Sequence, residues 1–168
     1  MKVRFIRFAV RYLTALLLGL VLLLLHGWAD NALLGIILPK SGAPWELGKL
    51  AYWPMLAAIP VTGRLSGGVR QTASELLPAA AVTAPALFLV CWGLSGLQPG
   101  WGVYLLAWVA LTAAGTALSV REKPLKGGVW VLLAAALALA YALFSLLPPV
   151  WQPFLDPHSA AAMATLPC

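Results

Sequence analysis

Glu46 and Lys49 stand three residues apart in an otherwise apolar stretch. That spacing puts a carboxylate and an ammonium on one face of a helix, within reach of each other. Such a pair can hold a polar ligand, pass a proton, or fasten one segment of chain to another. Pro44 suits the first position of a helix, and Glu46 in the first turn complements its dipole, so Trp45, Glu46, Lys49 and Tyr52 read as the start of one helix. His26 and Asp30 are four apart and share a face if a helix reaches that far. Together with Asp156 and His158 they supply donor types that a divalent metal accepts. Their spacing matches no metal signature, however, and the two histidines are far apart in sequence, so no metal site is expected.

Two readings of the Glu46–Lys49 pair stay open. An ion pair at a helix end can tie down the preceding loop, which is the better-supported reading. An ionisable group near a bilayer is also costly to keep and tends to serve a ligand or a proton. Familiar catalytic patterns are missing: there is no glycine-rich phosphate loop, no His-Glu-x-x-His helix and no Gly-x-Ser-x-Gly elbow. No catalytic residue and no cofactor are assigned, and the balance is against an enzyme.

The elements that must position these residues are membrane helices. Of the 168 residues, 62% are hydrophobic and 10% charged, against roughly a quarter charged in soluble domains. No soluble fold of this size hides that much apolar surface. A spanning helix takes about 20 mainly apolar residues, and five stretches qualify: residues 5–28, 45–63, 78–97, 101–120 and 129–147, with a tail over 148–168. They form one all-α membrane domain, a bundle of about five transmembrane helices. The second stretch is the awkward one, since it contains Lys49, Pro54 and Pro60.

Lys2, Arg4, Arg7, Arg11, Arg64, Arg70, Arg121, Lys123 and Lys126 fall on one side of a five-helix topology, and only Lys40 and Lys49 on the other. Basic residues mark the cytoplasmic side. The N-terminus is therefore expected inside and the C-terminal tail outside, with the polar cluster of His26, Asp30, Trp45, Glu46, Lys49, Tyr52, Asp156 and His158 at the outer face. The net charge of +6 speaks for anchoring and anionic lipid rather than nucleic acid. A rival expectation is that Gly27-Trp28-Ala29 ends a cleaved signal peptide, which would leave four helices in the same orientation.

Trp28, Trp45, Trp53, Trp101 and Trp151 fall near the outer boundary and read as an aromatic belt. Arg7 and Arg11 are expected to snorkel, Glu75 and Glu122 to be solvated loop charges, and Cys91 to pack as a small hydrophobe. Small residues crowd the last two helices (Ala110, Ala113, Ala114, Gly115 and Ala117; Ala134, Ala135, Ala136, Ala138 and Ala140). Such residues let helices approach closely, so other membrane subunits join the lipid bilayer as expected partners.

The stretch from His26 to Leu56, HGWADNALLGIILPKSGAPWELGKLAYWPML, resembles the hallmark region of a family of small bacterial multi-pass membrane proteins known only as a domain of unknown function. Members typically read H-x-x-Y-x-x-x-x-N, then P-V-N-E-S-x-W-E-H-x-K-L, then an aromatic residue and Pro. The chain agrees at His26, Asn31, Pro39, Trp45, Glu46, Lys49, Leu50, Trp53 and Pro54, and its PPVWQPFLDP segment, Pro148 to Pro157, resembles the family's Pro-Pro, Phe, Asp-Pro ending. It departs where Ser41-Gly42-Ala43 replaces Asn-Glu-Ser and Leu47 replaces His, losing a carboxylate and a helix cap. The resemblance implies a bacterial inner (cytoplasmic) membrane location and brings no activity with it. The leading functional expectation is a non-enzymatic subunit or assembly and scaffold factor of a membrane complex. The alternative is a small transporter or lipid-handling protein with an outer-face site around Glu46 and Lys49.

Overall fold

The computed structural model describes residues 2–28, 33–65, 68–97, 100–120, 128–147, 149 and 154. Among them every regular element is helical: α1 (Lys2–Leu24), a 3-10 turn (His26–Trp28), α2 (Leu34–Ile37), α3 (Pro44–Leu65), α4 (Val69–Ser95), α5 (Trp101–Ser119) and α6 (Gly128–Leu146). Val3–Leu24, α4, α5 and α6 are long and apolar enough to cross a membrane.

The exception among the long helices is α3, and the reason lies in its position. It packs on α4 along most of its length and on α1 beside it. Every residue from Pro44 to Tyr52 is buried. A helix enclosed by other helices is shielded from lipid, so it can carry Glu46, Lys49 and Thr62 in its interior-facing turns where a lipid-facing helix could not. Helix α6 has the opposite pattern. It buries only Ala134, Tyr141 and Ser145 and exposes Val129, Val131, Leu132, Leu133, Leu139 and Leu143.

Consecutive long helices alternate in direction. One end of the bundle, the arginine end, gathers Arg11 of α1, Glu75 of α4 and Ser119 of α5. The other, the loop end, gathers α2, the start of α3 and the last turn of α6, where Lys40 Nζ donates to the Ser145 carbonyl at 3.3 Å. A cation suits that place, because the last carbonyls of a helix have no partner within it.

Helix α4 departs from expectation. It begins at Val69 rather than at Pro78, and at 27 residues it extends about 40 Å at 1.5 Å per residue. The added turns contain Arg70, Gln71 and Glu75. Pro78 did not end the helix, because neighbouring groups can take over what an internal proline disturbs in a membrane bundle.

Pro54 shows how this happens. A proline inside a helix lacks the N–H that would bond the carbonyl four residues back, here that of Leu50. The indole of Trp108 on α5 donates Nε1–H to that carbonyl at 2.9 Å. Gly19 on α1 makes room for the arrangement: a Cβ there would strike the Trp108 ring and come within 3.2 Å of the Leu50 oxygen. Three helices thus meet at one proline-freed carbonyl.

Candidate functional site

The Glu46–Lys49 pair is the centre of a latch that holds α2 against α3. Lys49 has no exposed surface. Its ammonium donates to the Gly35 carbonyl at 2.7 Å, to the Leu38 carbonyl at 3.4 Å and to Glu46 Oε2 at 2.7 Å. An ammonium has three protons, and each has an acceptor here. Trp53 Nε1 donates to the Ile36 carbonyl at 3.1 Å. A one-turn helix such as α2 leaves most of its carbonyls unpaired, and α3 supplies the missing donors from Lys49 and Trp53. Glu46 Oε2 also accepts the backbone N–H of Lys40 at 2.9 Å, so one carboxylate oxygen binds the chain just before α3 and the lysine one turn into it.

Beside the latch lies an aromatic cluster. Trp45 packs against Tyr141 with ring centroids 4.5 Å apart, against Phe144 at 5.0 Å, Phe154 at 5.4 Å and Phe88 at 5.9 Å. Tyr52 reaches Tyr141 on the far side and donates its hydroxyl proton to the Ala134 carbonyl of α6. Trp45 is 8% exposed and therefore belongs to this core rather than to an aromatic belt, which corrects the sequence reading for that residue. Trp101, about half exposed, stands at the start of α5 as a belt residue would. Gly48 is required by this packing, since a Cβ would collide with the Tyr141 hydroxyl.

Of the eight residues of the expected outer cluster, Trp45, Glu46, Lys49 and Tyr52 come together on α3. His26 stands exposed on the 3-10 turn after α1. Asp30, Asp156 and His158 lie outside the described residues. Among the described residues no group of three His, Cys, Asp or Glu side chains could hold a metal ion.

A second polar site was missed. Arg11, expected to snorkel, is 1% exposed, and Glu75, expected to be a solvated loop charge, is 8% exposed. The two form a buried ion pair through Arg11 Nη2 and Glu75 Oε2. Arg11 Nη1 donates to the Ser119 carbonyl at 3.0 Å and to its hydroxyl at 3.2 Å, while that hydroxyl donates to the Thr116 carbonyl at 2.7 Å. Gln71 Nε2 donates to Glu75 Oε1 at 3.2 Å. The pair is 64 residues apart in sequence. Its only local signal is Gln71 and Glu75 at i and i+4 on the stretch that extends α4.

Fold and site together define an all-α membrane protein, a bundle built around a polar central helix and closed at each end by a buried ion pair. Compared with known protein families, curated proteins and solved structures, the chain matches none.

Proposed function

We propose that this chain is a non-enzymatic subunit or assembly factor of a membrane complex, held in a bacterial inner membrane with its arginine end in the cytoplasm and its loop end outside. The observation that carries this reading is the saturation of Lys49. A lysine that binds a solute or relays a proton needs an exchangeable partner, whereas all three of its donors are engaged by fixed groups of α2, its flanking residue and α3. The charged pair serves to shape a surface, and the surface is what remains for function. The thinly buried, small-residue helix α6 is the natural face for a partner, since Gly and Ala let a second helix approach closely. The arginine end contains Arg7, Arg11, Arg64 and Arg70, in keeping with basic residues on the cytoplasmic side. The resemblance to the small bacterial membrane family supports the same location and includes Glu46, Lys49 and Trp53, the residues of the latch.

The test is purification of the tagged protein from its native membranes in mild detergent, with mass spectrometry of whatever accompanies it. A stoichiometric protein partner is expected, lost when the exposed Ala136 of α6 is replaced by Leu. A protein that purifies alone with a bound solute would favour the alternative, a small transporter or lipid-handling protein working through an outer-face site. The same preparation yields an intact mass. Helix α1 provides Arg11 and Gly19 to the core, so a mass retaining the first 29 residues is expected, and their loss would overturn the five-helix bundle.

A further inference from the structure

The arginine end has a cavity of about 360 Å³ between α1 and α3, lined by Val3, Ile6, Arg7, Val10, Arg11, Thr62 and Leu65. The α1 residues recur at the spacing of one helical face, and the apolar ones continue outward into exposed surface at Val3, Ile6 and Leu65. Two features distinguish the cavity from an ordinary groove on a membrane helix. First, Nε of Arg7 and Nε of Arg11 are both buried without a hydrogen-bond partner among the described residues, and Arg11 as a whole is 1% exposed. Second, the charges are unbalanced. Arg11 directs its terminal nitrogens to Glu75 and Ser119, whereas none of the ion pairs among the described residues answers Arg7.

We propose that this cavity is a binding site for one anionic phospholipid from the leaflet at the arginine end. Its phosphate is received by the Arg7 guanidinium, and one acyl chain lies along Val3, Ile6, Val10 and Leu65. A guanidinium offers paired donors in the geometry of a phosphate. The apolar walls favour a lipid phosphate over a free one, because inorganic phosphate would leave them uncovered. Arg11 keeps its place as the partner of Glu75, so the added charge is carried mainly by Arg7. The site differs in location and chemistry from the latch at the loop end and does not depend on the scaffold reading.

The test uses the full-length protein in detergent, delipidated and then titrated with palmitoyl-oleoyl phosphatidylglycerol while bound lipid is counted by native mass spectrometry. The zwitterionic phosphatidylcholine with the same chains and inorganic phosphate form the control arms. One phosphatidylglycerol is expected to be retained in preference to phosphatidylcholine. Arg7→Gln should weaken it about tenfold, the loss of one charge-assisted hydrogen-bonding partner, and raised salt should weaken it in the wild type. Val10→Phe, which fills the cavity and leaves every charge in place, should displace the lipid and decides the matter if Arg7→Gln does not fold. Equal retention of the two lipids, binding unchanged in Val10→Phe, or displacement by millimolar inorganic phosphate at the same affinity would overturn the proposal.

Discussion

Lys49 illustrates what a buried charge requires of its surroundings. Taking an ammonium out of water costs several kcal/mol, and a single counter-charge rarely restores it. Here Glu46 is joined by two backbone carbonyls that would otherwise be orphaned at the end of α2. Replacing Lys49 by Met should therefore do double damage, leaving a buried carboxylate alone and two carbonyls unpaired. A loss of about 3–5 kcal/mol is expected, measured by thermal unfolding in detergent. The double variant Glu46→Gln/Lys49→Met removes the lone charge but not the orphaned carbonyls, so its stability should fall between the wild type and Lys49→Met. A Lys49→Met protein that melts like the wild type yet loses its partner would sink the structural assignment. The Arg11–Glu75 pair calls for the same logic across a longer reach: a double-mutant cycle of Arg11→Met and Glu75→Gln should give a coupling of about 1–3 kcal/mol, and additive effects would contradict the contact. The two pairs also mark what was legible in the sequence. Residues three apart on one helix can be paired from spacing alone, as Glu46 and Lys49 were. Arg11 and Glu75 meet only because α1 and α4 are neighbours at one end of the bundle, and no local pattern encodes that.

At the scale of elements, the prolines govern how the helices join. Four prolines lie inside α3 and α4, and taking Pro78 as the place where a helix must begin set the expected start of α4 nine residues late. A soluble helix would often break there, because an internal proline both loses a hydrogen bond and crowds the preceding turn. In this bundle the freed carbonyl at Leu50 is turned into a contact, with Trp108 as donor. A specific interaction follows. Trp108→Phe should cost about 1–3 kcal/mol, the penalty of an unsatisfied buried carbonyl. In a Pro54→Ala background, the restored N–H can take the Leu50 carbonyl within α3, so the hydrogen-bond part of that cost should disappear. Thermal melts of the four proteins form the cycle. An equal cost for Trp108→Phe in both backgrounds would mean that the indole serves only as volume. Gly19 and Gly115 set the approach of α1 and α5 in the same region, since a Cβ at Gly115 would run into the Thr83 hydroxyl and the Met55 methyl. Gly115 belongs to the run of small residues that points to close packing of α5, whereas nothing in the apolar surroundings of Gly19 marks it, because a close approach is a property of two helices and not of one.

At the scale of the whole molecule, polarity is sorted by depth in the bundle rather than by position along the chain. The least apolar long helix is at the centre and the most apolar faces point outward, the reverse of a soluble protein's arrangement and the expected one where lipid is the solvent. That is why the all-helical class was legible from composition and run length, while the role of α3 as the enclosed helix was not: its charges read equally well as an interrupted span. The sorting also separates the two ends, with Arg7, Arg11, Arg64 and Arg70 at one and α2 with its latch at the other. If basic residues fix orientation here as they generally do, the arginine end faces the cytoplasm. Gly68 precedes α4 at that end, and Leu97 follows it at the other, both exposed. In a background with Cys91 and Cys168 replaced by Ser, a membrane-impermeant maleimide given access only to the non-cytoplasmic face of the membrane should label Leu97→Cys and spare Gly68→Cys until the membrane is opened. The reverse pattern would place the latch in the cytoplasm and make the arginine end the outer one. The lipid site would then draw on the outer leaflet, and the partner would have to be sought with the opposite polarity. Labelling of both positions in intact cells would mean that α4 does not cross the membrane, and the bundle would have to be read as lying against it.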